Sequence, residues 1–163
     1  WRICGIDWGN LGEIMQYVFF LMGLPGSGKT TWAKTYQKKT KTENTVRVNK
    51  DELRSMMFGE RWSREKERQV KNAHRWIVEH AVPEGYDVIV DDTHLNPEHE
   101  AAIESIVAQF DDVLFLPVLF DESIETCIER DSKRDNPIGE KVIRDMAEKH
   151  TKIIEKSRIS DGR

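Results

Sequence analysis

Gly23-Leu24-Pro25-Gly26-Ser27-Gly28-Lys29-Thr30 satisfies every specified position of the pattern G-x-x-x-x-G-K-[ST]. The apolar run Tyr17-Val-Phe-Phe-Leu-Met22 precedes it, and Thr31-Trp-Ala-Lys-Thr-Tyr-Gln-Lys-Lys39 follows with the composition of a helix. Strand, glycine loop and helix in that order make a phosphate cradle. The glycines let successive backbone N–H groups curl toward one anion, and the helix adds its positive N-terminal end. Gly23, Pro25, Gly26, Ser27 and Gly28 shape the expected loop, and Lys29 is expected to reach the β- and γ-phosphates of a nucleoside triphosphate. Thr30 and Thr31 open the helix, with the Thr30 hydroxyl as the expected Mg²⁺ ligand.

Working outward from the loop, short apolar runs alternate with longer amphipathic segments, the pattern of a βαβ protein with a parallel sheet. The expected strands are 17–22, 45–49, 86–91 and 112–120, and the expected helices 29–39, 51–57, 63–81, 97–109, 123–131 and 139–156. The fold class is therefore α/β: a P-loop NTPase with a parallel sheet of four to five strands, helices on both faces and a helical lid. Pro117 interrupts the fourth ladder, which places that strand at an edge or a bulge. Asn96-Pro97 is a helix start, Asn as cap and Pro at the first helical position. Pro83 and Gly85 stop the long helix before the third strand.

The chemistry concentrates in three later segments. Asn49-Lys50-Asp51-Glu52-Leu53-Arg54 follows the second strand at the sheet edge where such folds collect ligands. Asp51, read as the strand's C-terminal acid facing the γ-phosphate, suits the base that takes the proton of an acceptor hydroxyl; the competing reading makes it the cap of helix 51–57. Arg54, one turn on, suits a phosphate of the acceptor. Asn49-Lys50-Asp51 is not a guanine-reading N-K-x-D motif, since Glu52 holds the Asp position. In Val88-Ile-Val-Asp-Asp-Thr-His-Leu-Asn-Pro-Glu98, an apolar strand ends in acid. That Walker-B-like arrangement brings a carboxylate to a Mg²⁺ shell or to a neighbouring arginine. His94 reads either as a substrate contact or as a structural turn residue. Between Cys127 and Ile138, Arg130, Lys133 and Arg134 sit in a polar stretch between two helices, the place for a lid that delivers a guanidinium to the migrating phosphoryl group, or for a plain solvated loop.

The chain has 163 residues, enough for one domain with a real core. With 25 basic residues against 29 acidic ones the net charge is −4, which argues against a wholesale polyanion-binding surface. A nucleic acid would need a local basic patch. Residues 61–75 provide one: Arg61, Arg64, Lys66, Arg68, Lys71 and Arg75 against Glu65 and Glu67, with Trp62 and Trp76 nearby. The bland reading makes this a solvated helix face with Trp76 in the core, and for Trp76 the core placement is the expectation. Lys34, Lys38, Lys39 and Lys41 read as ordinary soluble surface. Cys4 and Cys127 form no metal-type pair, and no apolar stretch approaches a membrane span; a reduced, cytoplasmic setting is expected. Residues 1–14 lack periodicity and read as an upstream or non-native segment, with the P-loop domain occupying 15–163.

Together these segments resemble the kinase domain of the phage 5′-polynucleotide kinase/3′-phosphatase family. The resemblance rests on Gly23 to Ala33, on Val48-Asn-Lys-Asp-Glu-Leu-Arg54, on Val90-Asp-Asp-Thr-His-Leu-Asn-Pro-Glu98, and on Phe120-Asp121 leading to Asp131-Ser-Lys-Arg134 and Pro137-Ile138. It implies ATP and Mg²⁺ on Lys29 and Thr30, with Asp51 as general base toward a nucleic acid's 5′-OH end. It also implies Arg54 on the acceptor's 3′-side phosphate, Asp92 as a supporting acid beside Thr93, and Arg134, with Arg130 near it, as the lid arginine on the donor phosphates. If the chain is phage-encoded, its setting is the host cytoplasm. Where the family has Asn after Asp-Thr, this chain has His94. The Asp-x-Asp of the family's phosphatase half and the Lys-x-Asp-Gly of a nucleotidyl-transferase ligase are both missing from these 163 residues. The remaining alternatives are a small-metabolite P-loop kinase and a nucleotide-binding module without transfer chemistry.

Overall fold

Period-two apolar alternation on both sides of the central strands makes a sheet that must be covered twice, and the computed structural model shows that arrangement. It describes residues 16–39, 44–59, 63–93 and 97–149. The strands are β1 (Gln16–Met22), β2 (Thr45–Val48), β3 (Asp87–Asp91) and β4 (Val113–Leu119). They pair in the order β2-β3-β1-β4, every ladder parallel. The helices are α1 (Lys29–Lys39), α2 (Lys50–Phe58), α3 (Arg64–Ala81), α4 (Pro97–Val107) and α5 (Ile124–Ser132). A sixth, α6, is described over 140–149.

Alternate residues of each strand feed different cores. Val18, Phe20, Val48, Val88 and Val90 face α2, α3 and α4 and pack with Leu53, Val70, Val78, Ile103 and Ile106. Phe19, Leu21, Ile89, Leu116 and Val118 face the other way, onto Ala33, Trp32 and Tyr36 of α1. A third, smaller cluster joins Leu24 of the glycine loop to Cys127 of α5 and to Ile143 and Ala147 of α6. The helical lid is thus bolted to the back of the loop rather than to the sheet.

The expected elements appear within the described residues, with ends moved by one or two residues where caps decide; positions 150–156 of the last expected helix lie outside the described residues. Asn49 is the N-cap of α2 and accepts a bond from the Glu52 N–H, so α2 starts at Lys50 and the capping role proposed for Asp51 is taken. Asp51 correspondingly lies in the first turn of α2, three residues past the end of β2, rather than at the strand's own end. Ser63 and Ser123 cap α3 and α5. Pro97 is the first residue of α4, as its fixed φ favours; Asn96 lies outside the described residues. β4 has one neighbour among the described residues, β1, and Pro117 stands opposite Phe20 there. At that edge a missing N–H leaves no second ladder broken. One core assignment fails: Trp76 is 58% exposed and stacks on His80. The buried stripe of α3 is Val70, His74, Val78 and Ala81, and Trp76 falls on the far side of the helix from it. Residues 1–14, Lys41, Arg61 and Trp62 lie outside the described residues, and Lys34, Lys38 and Lys39 are exposed.

Phe19 is fully buried among the rings of Tyr17, Trp32 and Tyr36. Truncating it to alanine leaves a void under α1 that these rings cannot refill. Phe19→Ala is expected to lower the unfolding free energy by about 4 kcal/mol, read from the shift of the urea midpoint at unchanged slope.

Candidate active site

The glycine loop turns where only glycine turns easily: Gly23, Gly26 and Gly28 have φ of 141°, 84° and 99°. Close approach adds a second reason at two of them. A Cβ on Gly26 would stand 2.4 Å from the Cys127 carbonyl oxygen, and one on Gly23 2.7 Å from that of Phe120. The loop is therefore clamped between the end of β4 and the middle of α5. Lys29 is buried inside it, and its ammonium donates to the carbonyls of Gly23 and Leu24, each at 2.8 Å, and to Ser27 Oγ at 3.3 Å. Burial pushes the Lys29 pKa down to about 8, against the opposing pull of the Asp91 carboxylate. The sequence places this ammonium on phosphates; here it bonds to the loop's own oxygens.

Beneath the loop, Asp91 at the end of β3 is fully buried yet amply partnered. Its Oδ1 accepts from the Thr30 hydroxyl at 3.2 Å, and its Oδ2 from Arg47 Nε at 2.8 Å. Arg47, on β2, also makes a two-pronged pair with Glu52 of α2 at 2.7 and 2.9 Å. Asn49 donates to the Asp91 carbonyl. Asp92 turns toward α2 and α3 instead. It accepts from the Lys50 backbone N–H at 2.8 Å and lies 3.3 Å from the Lys50 ammonium and 3.0 Å from His74 Nε2. The two adjacent acids thus serve different partners, as alternation along a strand end requires.

On the next wall, Asp51 Oδ1 accepts from Arg54 Nη1 at 2.6 Å, and Arg54 is held from behind by Glu67 of α3 at 2.8 and 3.0 Å. The Asp51 carboxylate is 81% exposed, open to an incoming group. From the lid, Arg130 Nη1 donates to the Gly26 carbonyl at 3.3 Å and its Nη2 meets Glu122 at 3.0 Å. Arg134 stands half-exposed, 3.6 Å from Asp131.

One cleft of about 920 Å³ joins these walls. Pro25, Gly26, Gly28, Lys29, Thr30 and Thr31 line its floor. Asp51, Arg54, Asp92 and Thr93 line one side, and Arg130 and Arg134 another. Gly23 and Ser27, also expected in the loop's binding surface, stand behind that lining and bond to Lys29. His94 lies outside the described residues. Sequence reasoning missed Arg47, Lys50, His74 and His99. A charged residue in the middle of a four-residue apolar strand was the available sign for Arg47. A histidine on the buried stripe of α3 was the sign for His74.

A glycine loop with its lysine, a strand-end acid on the helix hydroxyl and a cleft at the carboxyl edge of a parallel sheet define a P-loop nucleotide-binding domain of the kinase type. The AAA domain family matches residues 18–153, and the chain belongs to it. The chain is similar to L-seryl-tRNA(Sec) kinase of Methanococcus maripaludis, 24% identical over 134 residues that make up 81% of this chain and 51% of that one. It is also similar to a protein of Autographa californica nuclear polyhedrosis virus named as a candidate bifunctional polynucleotide kinase/RNA ligase. There the identity is 28% over 154 residues, 85% of this chain and 21% of the viral one. Two solved structures of the Pnkp1/Rnl/Hen1 complex contain similar folds. One has a TM-score of 0.62 at 27% identity, covering 74% of this chain and 40% of that one. The other, described as an RNA repair complex, has a TM-score of 0.70 at 24% identity, covering 90% and 48%. The chain thus spans about half, or less, of each of these relatives. Among the described residues no helix is long and apolar enough to cross a membrane.

Two expectations follow. Arg47→Met strands the Asp91 carboxylate in the core and should cost about 3–5 kcal/mol of stability by urea denaturation, with Asp91→Asn in the same chain recovering part of the loss. Lys29 is cationic below its pKa of about 8 and neutral above it. Calorimetric affinity for a nucleoside diphosphate should therefore fall as the pH passes upward through that value, and Lys29→Met should flatten the profile.

Proposed function

We propose that the chain transfers the γ-phosphoryl group of ATP to the 5′-hydroxyl end of a polynucleotide. The observation that carries this reading is the two-sided cleft. A loop lysine and lid arginines occupy the donor end, and an exposed carboxylate locked to an arginine occupies the other. Transfer of a phosphoryl group needs positioning and charge neutralisation more than covalent help from the protein. Backbone N–H groups of the loop hold the donor phosphates, and Lys29 exchanges its bonds to the Gly23 and Leu24 carbonyls for phosphate oxygens. Asp51 accepts the proton of the attacking hydroxyl as its oxygen bonds to phosphorus and the bond to the leaving ADP breaks. Arg134 balances charge gathering on the migrating group, with Arg130 beside it. Arg54, steadied by Glu67, takes the acceptor phosphate next to the terminal nucleotide, and Asp92 and Thr93 border that subsite.

Thr30 Oγ1 and Asp91 Oδ1 form a pair of hard oxygen donors at the foot of the loop, a set that fits Mg²⁺. The ion would supply charge neutralisation to the donor phosphates.

Support comes from the resemblance of four ordered segments to polynucleotide kinases and from the viral relative named for that activity. The relative named for seryl-tRNA(Sec) favours a second reading, in which the acceptor hydroxyl belongs to a seryl group carried on tRNA. Incubation with γ-labelled ATP and, in parallel, a 5′-OH oligonucleotide, a seryl-tRNA and a panel of small alcohols separates these. Label on the oligonucleotide is expected; label on seryl-tRNA or a small alcohol alone sinks the proposal. Asp51→Asn should slow transfer by roughly 10²–10⁴-fold with ADP affinity retained, whereas joint loss of both would reduce Asp51 to a structural role.

A further inference from the structure

Helix α3 carries Arg64, Arg68, Lys71 and Arg75, at spacings of four, three and four residues, all exposed. That spacing lines them up on one face over about 16 Å. Helix stability does not ask for this arrangement. Like charges three and four residues apart repel, and Arg64 sits in the first turn, where the helix dipole disfavours a cation. Neighbouring acids neutralise only the last member of the stripe, Arg75, through Glu79 at 2.6 Å. Glu67 is taken by Arg54 and Glu79 by Arg75, while Arg64, Arg68 and Lys71 have no ion-pair partner among the described residues. Beside the far end of the stripe, Trp76 stands out from the outer face and stacks on His80, ring centroids 4.0 Å apart. The stripe also starts at the site. Glu67, in the turn next to Arg64, holds the cleft residue Arg54, and Lys71 is close enough to the cleft residue His99 to depress its pKa, after burial and Lys50.

We propose that α3 is the track for the acceptor strand beyond its reacting end: phosphates run along Arg64, Arg68, Lys71 and Arg75, and a base stacks on Trp76. The occupant is a single-stranded polynucleotide several nucleotides long, since positive charge in a line with an adjoining aromatic platform matches its repeating phosphates and bases. The inference rests on the polynucleotide reading above and adds to it a surface outside the cleft.

The test compares the wild type with Arg64→Gln/Arg68→Gln, both positions exposed and outside the lining of the cleft. Acceptors are a 5′-OH oligonucleotide of about ten nucleotides and a nucleoside 3′-phosphate, which occupies the cleft alone. For the oligonucleotide, KM should rise at least about fivefold at unchanged kcat. The slope of log KM against log salt should shrink by about 1.4, from two lost charges at about 0.7 each. KM for the nucleoside 3′-phosphate should not move. Equal oligonucleotide KM and salt slope in variant and wild type overturn the track. Trp76→Ala should weaken oligonucleotide binding about tenfold; unaltered binding overturns the stacking half. If the wild type labels neither acceptor, the kinase reading is what fails, and fluorescence anisotropy of the same oligonucleotide then decides the surface. Weaker binding by the double variant upholds it, and equal binding removes it.

Discussion

The buried carboxylate of Asp91 is the constraint around which the site is organised. It sits at the end of an interior strand with no access to water, so its charge must be matched from within the protein. Arg47 from the neighbouring strand does this, and the guanidinium still has nitrogens left for Glu52 on α2. The remaining carboxylate oxygen faces the hydroxyl of Thr30 at the start of α1. Two ion pairs and a hydrogen bond around this carboxylate thereby relate β2, β3, α1 and α2 in space, the elements that carry the loop helix, Asp51 and Arg54. Strands alone would leave these helices free to slide; a charge that cannot be left unpaired holds them.

A second constraint acts from behind the phosphate loop. Two carbonyl oxygens, from Phe120 and Cys127, come so near Gly23 and Gly26 that no side chain fits between. Backbone packing of this kind makes the loop's curvature a property of its neighbours as well as of its glycines. It also couples the loop to the lid, because Cys127 belongs to the small apolar cluster that seats α5 and α6. Arg130 and Arg134 descend from that seat toward the cleft, so this side of the cleft is built from the loop and the lid as one packed unit. Lys29 is bonded to the loop's own carbonyls at the cost of a depressed pKa.

Much of this was legible along the chain, for physical reasons that differ from segment to segment. β1 and β3 are continuous apolar runs, and only an interior parallel strand tolerates that. The glycine loop reads plainly because phosphate binding by backbone N–H groups demands glycine at fixed places. Helix ends were less exact, since Asn49, not Asp51, won the competition to cap α2. Trp76 was misjudged, since the stripe Val70-His74-Val78 is what shows which face of α3 is turned inward. Arg47 and His74 were passed over because the local sign each carries names no partner, and their partners lie 44 and 18 positions away.

What the linear chain determined by itself is the inventory: a phosphate loop, alternating strands and helices, and acids and arginines at strand ends. These follow from local rules, since periodicity, capping and glycine geometry act over a few residues. Which acid of the pair Asp91-Asp92 meets the loop hydroxyl and which meets Lys50 and His74 is not local information. It depends on β3 being flanked by β2 and β1, and on charges that find their partners only once the sheet has brought distant segments within about 3 Å. Tertiary structure decided those pairings because a buried charge is sensitive to everything that surrounds it, and sequence neighbours are only a small part of that surrounding.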